Sequence, residues 1–107
     1  MLILLDENIP HRLRGMLGGH DVRTTTYQGW AGLANGALLK AADDAGFEAV
    51  ITADQGIQYQ QNRTECRLAL IVLRTNKEVL LIENADSILA ALSTAAGGTV
   101  VFVDVGT

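Results

Sequence analysis

Cysteine is almost missing from this chain, with Cys66 the single example in 107 residues. One thiol excludes an intrachain disulfide and fits a reducing compartment. With no partners to make it a ligand or nucleophile, Cys66 is expected to be a buried or incidental thiol. Long hydrophobic runs are missing too. The opening run over residues 2–5 is far too short to span a membrane, and no basic residue precedes it as in a signal peptide. A cytoplasmic protein with no membrane association is therefore expected. Basic charge is scarce: 8 Lys and Arg stand against 12 Asp and Glu, a net charge of −4. That balance argues against a surface that binds nucleic acid by charge alone, yet it permits a metal-dependent site, because a bound divalent cation reverses the local sign. No Cys/His spacing supports zinc, and no Walker lysine loop supports a nucleotide-binding P-loop. His11 and His20 also lack metal-ligand spacing and are expected to be surface or capping residues. Nothing resembles a repeat, a low-complexity tract or a linker, so residues 1–107 are expected to form one domain. Apolar residues make up 49% of the chain, which makes it globular and not disordered.

The most informative stretch is Leu2-Ile3-Leu4-Leu5-Asp6-Glu7-Asn8. Four apolar residues leading into two carboxylates and a carboxamide read as a strand buried on both faces, with the acids at its carboxyl end. Residues 49–54, Ala-Val-Ile-Thr-Ala-Asp, repeat the arrangement. Further strands are expected over 22–26, with an exposed, edge-like character, and over 68–73 and 100–103. Helical patterns fill the gaps between them. Pro10 suits a first helical turn, with Leu13, Met16 and Leu17 as the inward stripe and Gly18-Gly19 as the end. Asn35 is expected to cap a helix whose apolar face is Leu38, Leu39, Ala41, Ala42 and Ala45, closed by Gly46. Residues 55–63 are expected to be a short helix or an ordered loop. Residues 78–96 read as one helix, or as two with a bend at Asn84 or Asp86.

Strands alternating with helices give a parallel α/β sheet, and an edge position for 22–26 favours the order 2-1-3-4-5. In that order the reversal lies between the strands ending at Asp6 and Asp54. Ligands of open α/β sheets bind in such a crevice, outside the carboxyl ends of the strands. Each acid taken alone is as readily a helix cap. Together they suggest an oxygen-ligand site for Mg²⁺ or Mn²⁺.

The motifs Leu4-Leu5-Asp6-Glu7-Asn8-Ile9-Pro10, Gly19-His20-Asp21-Val22, Trp30-x-Gly32-x-x-Asn35-Gly36-x-Leu38-Leu39 and Val50-Ile51-Thr52-Ala53-Asp54 together resemble the small PIN-like proteins of bacteria. Many of those are toxin components of toxin–antitoxin pairs. The resemblance implies a PIN-like three-layer α/β fold with a mostly parallel five-stranded sheet flanked by helices. It also implies a Mg²⁺- or Mn²⁺-dependent ribonuclease. In that pattern Asp6 matches the first acidic position and Asp54 the Thr-x-Asp position, as metal-holding and catalytic residues, with Glu7 completing or tuning the shell. Asn35 stands where such nucleases usually carry a carboxylate, and residues 55–58 offer none of the further acid seen in many members. Asp104 would stand in only if the last strand reached the crevice. Asn8, Asn35, Trp30 and Arg12 are candidate substrate-binding residues. Tyr27 or Trp30 could stack a base, with packing the expected job of Trp30. Arg12, Arg14, Arg63, Arg67 and Arg74 could contact phosphates, a solvated surface being the default for each. Implied partners are RNA, an antitoxin protein and a second copy of the chain. Two other classes compete. A non-catalytic PIN-like module would bind a protein or RNA, and a receiver-like domain would accept a phosphoryl group on Asp54. A receiver needs a lysine after its fifth strand, where this chain has Val105-Gly106-Thr107.

Overall fold

The computed structural model describes residues 1–57 and 67–104. Five strands, β1 (Leu2–Leu5), β2 (Asp21–Thr24), β3 (Ala49–Thr52), β4 (Ala69–Leu73) and β5 (Val100–Val103), form one sheet in the order β2-β1-β3-β4-β5. Every pairing is parallel. The expected order is found, and the sheet is wholly, not mostly, parallel.

Successive strand residues point to opposite faces, so each central strand feeds two cores. Ile3, Leu5, Ala49, Ile51, Ile71 and Leu73 face one layer, where they meet Leu13 and Leu17, Leu81 of α3 (Glu78–Glu83) and Ile88 and Leu92 of α4 (Ala85–Thr94). Leu4, Val50, Leu70 and Val72 face the other, where Leu38, Leu39 and Ala42 of α2 (Asn35–Asp44) cover them. Helices on both faces explain why β3 and β4 are buried at every position. Among the described residues no helix is long and apolar enough to cross a membrane.

Several local expectations are corrected. The segment after Pro10 is a 3-10 helix, His11–Met16, not an α-helix. Leu13 lies inside it, but Leu17 lies past its end, at φ −106 and ψ 57, and Met16 is exposed. Six residues of the tighter helix are too few to carry the full i, i+3, i+4 stripe inward. The second strand stops at Thr24, whose hydroxyl accepts from Tyr27 N at 3.1 Å and so starts the one-turn α1 (Thr25–Gln28). A threonine cap outweighs the β-propensity of its two threonine neighbours. Asn35 is the first residue of α2 and not its cap; Ala34 holds the cap position without a side-chain bond. Ala45, expected on the inward face, is exposed at the C-cap of α2. Residues 78–96 resolve into α3 and α4, broken at Asn84, whose Nδ2 donates back to Leu80 O at 2.8 Å. Residues 55–57 form a turn. The rest of that expected segment lies outside the described residues, as do Arg63, Cys66 and residues 105–107.

Candidate active site at the switch point

The sheet register builds the site. Leu5 pairs with Ile51, and Asp6 N continues the ladder to Ile51 O at 2.9 Å, so the next rung sets Asp6 beside Thr52. The Thr52 side chain is fully buried and Asp6 is nearly so. The Thr52 hydroxyl donates to Asp6 Oδ2 at 2.7 Å across 46 residues of sequence. The same oxygen accepts from Asp54 N at 3.0 Å and from Asn8 Nδ2 at 3.4 Å. One hydroxyl therefore joins the loops after β1 and β3. Asn8 adds a second tie, its Oδ1 accepting from Ala53 N at 3.1 Å.

Each carboxylate is further oriented by its own loop. Asp6 Oδ1 accepts from Glu7 N at 2.8 Å, and Asp54 Oδ1 accepts from Gly56 N at 2.9 Å in an Asx-type turn. Asp54 Oδ2 accepts from Asn35 Nδ2, which brings the start of α2 into the crevice. Glu7 is exposed, and its Oε1 accepts from Gly32 N at 3.3 Å in the loop before α2. Asp6, Glu7, Asn8, Asn35 and Asp54 thus belong to one hydrogen-bonded constellation. Asp6 is bonded across the sheet and not to a helix start, so the capping reading does not hold for it.

Other candidates fall elsewhere. Trp30 meets Phe47 edge-on, with ring centroids 5.6 Å apart, and packs against the α2-side core. Tyr27 is 76% exposed. Arg12 pairs with Glu78 at 3.5 Å, Arg67 with Asp43 at 3.6 Å, and Arg74 with Asp104 at 2.8 Å. Asp104 follows the edge strand β5 and is held by Arg74, so it does not replace a crevice carboxylate. His11 and His20, expected to be surface or capping residues, line one cleft, because the chain doubles back from the 3-10 helix into β2.

Sequence reasoning did not single out Thr52 as a site residue. Its signal was a hydroxyl at the last position of an otherwise apolar buried strand, two residues before an aspartate.

The donor set is oxygen only, from carboxylates, amide carbonyls and a hydroxyl, which fits a hard divalent cation. Among the described residues no three His, Cys, Asp or Glu side chains converge as a metal group. Mg²⁺ keeps several waters and takes as few as one or two protein carboxylates alongside a substrate phosphate. No family model matches the chain, and no curated protein or solved structure does so either.

Proposed function

We propose that this protein is a PIN-like, Mg²⁺- or Mn²⁺-dependent ribonuclease that acts in the cytoplasm as the toxin component of a toxin–antitoxin pair. The observation that carries the reading is the Thr52 hydroxyl, which ties Asp6 to the Asp54 loop at the point where strand order reverses. A structural aspartate needs only a local donor. Here a fully buried hydroxyl is spent on fixing the direction of one acid next to another, which is the preorganisation that charge stabilisation at a reacting centre requires.

In this reading Asp6 and Asp54 would hold the ion through their oxygens, and Glu7 would support the shell from the rim. A bound divalent cation would supply charge stabilisation for the phosphate and lower the pKa of a coordinated water. Thr52 and the Glu7 N–H keep Asp6 from swinging away, while Asn35 keeps the Asp54 carboxylate turned toward α2. Tyr27, exposed beyond the crevice, offers a stacking face for an unpaired base. Implied partners are single-stranded RNA, an antitoxin protein that covers the crevice, and a second copy of the chain.

One observation favours a second reading, that of a PIN-like module without catalysis. Asn35 gives an amide N–H to Asp54 where a nuclease of this type usually presents an acid. Incubation of single-stranded RNA with purified protein and Mn²⁺ separates the two. Cleavage that is abolished by EDTA supports the nuclease. Failure of both the wild type and Asn35→Asp to cut any RNA, with binding of a protein partner retained, establishes the module instead.

A further inference from the structure

A second recess lies on the edge-strand side of the sheet. It is an open cleft of about 520 Å³ between the 3-10 helix and β2, lined by His11, Arg12, Arg14, Gly15, His20, Asp21 and Val22. In a chain of net charge −4 it gathers two guanidiniums and two imidazoles. Its one acid, Asp21, is already engaged by Arg23, Nη2 to Oδ2 at 3.1 Å. Arg14 Nε donates to Val22 O at 2.8 Å, which fixes the guanidinium plane against the edge strand. Arg14 forms no ion pair with a carboxylate among the described residues, whereas Arg12, Arg23, Arg67 and Arg74 each do. The pair of Arg12 with Glu78 is a long, exposed contact that an incoming anion displaces at little cost. His20 lines the same recess, with its Nδ1 turned into the protein and without a hydrogen-bond partner among the described residues.

We infer that this cleft is an anion site for a phosphoryl group, with Arg14, held by its bond to Val22 O, as its positioned donor and Arg12, His11 and His20 lining the recess around it. Guanidinium forks match the oxygens of phosphate in paired, charge-assisted bonds, and a recess of this volume accommodates a phosphate together with an attached sugar. The phosphoryl group belongs either to an RNA strand or to a free phosphorylated small molecule. The inference stands apart from the reaction at the crevice, since no crevice residue lines the cleft.

The test is amide-resolved NMR on the full chain, titrated in a chloride background with inorganic phosphate, adenosine monophosphate and a single-stranded oligouridylate. Saturable shifts at Gly15, His20, Asp21 and Val22 are expected. Arg14→Gln keeps a donor for Val22 O and should weaken the binding about tenfold, as expected for losing one charge-assisted contact. The exposed pair Arg12→Ala with His11→Ala gives the same readout without touching the bond to Val22. Asp54→Asn, which disables the crevice, should leave the binding intact, so loss of the nuclease reading does not remove this one. Saturation by the oligonucleotide alone assigns the site to a strand, and saturation by phosphate or the monophosphate alone assigns it to a free ligand. Absence of saturable shifts with all three probes overturns the inference. So does equal binding by the wild type and both sets of variants, or an equal response to added chloride.

Discussion

At the carboxyl ends of β1 and β3, Asp6, Asn8, Thr52 and Asp54 each meet partners from another segment, across separations of 19 to 46 residues. Along β2 the cleft is built almost entirely from residues 11–22, and its cations reach few acids. The crevice is acidic, long-range and mutually satisfied, whereas the cleft is basic, local and incompletely satisfied. Mutual satisfaction holds side chains in one direction, and buried groups held in this way are costly to disturb. Incomplete satisfaction leaves donors for something outside the protein. Sign of charge alone does not separate the two regions; what does is whether the polar atoms already have partners.

That contrast can be broken most decisively at the acids. Asp6→Ala and Asp54→Ala should each lower RNA cleavage by at least about a hundredfold, the equivalent of roughly 3 kcal/mol of transition-state stabilisation. Single-turnover rates with Mn²⁺ measure it, and near-wild-type rates in either variant would remove the crevice as the reacting centre. Thr52→Val comes next. It keeps the shape but removes the hydroxyl bond to the buried Asp6 carboxylate, and should cost about 1–3 kcal/mol of stability by denaturant unfolding. Thr52→Ser should recover most of that loss. If Thr52→Val unfolds like the wild type, the crevice is no more integrated than the cleft.

Asn35→Asp sharpens the comparison, because it converts the donor to Asp54 into a second acceptor of like charge. Without metal it should cost about 1 kcal/mol, or roughly 4–8 °C in Tm for a chain of this size. Added Mn²⁺ should restore the loss, since an ion bound only by the folded state stabilises it by mass action. A Tm unmoved by Mn²⁺ would mean that the carboxylates do not share an ion. The smallest effect belongs to the cleft. Arg12→Ala removes an exposed ion pair and should change stability by no more than about 0.5 kcal/mol, as measured by thermal unfolding.

Much of this protein is determined by its sequence. Unbroken apolar runs at residues 2–5, 49–51 and 69–73 can be satisfied only by a sheet covered on both faces, and covered sheets of short, helix-linked strands are parallel. The acids that follow the first two of those runs therefore had to emerge at one end of the sheet. Periodicity also located α2, while residues 78–96 read as one helix or as two with a bend at Asn84 or Asp86, and the structure has two. Other features were decided by tertiary structure. Whether Asn35 caps a helix or reaches Asp54 depends on where α2 docks, and docking placed it one residue inside the helix with its amide in the crevice. Thr52 became the junction because the β1–β3 register set it next to Asp6, and a shift of one residue would have turned its hydroxyl to the opposite face. His11 and His20 came to line one cleft because the chain reverses between the 3-10 helix and β2. Local pattern reports which face a side chain takes, while partners far apart in sequence are chosen by register and packing.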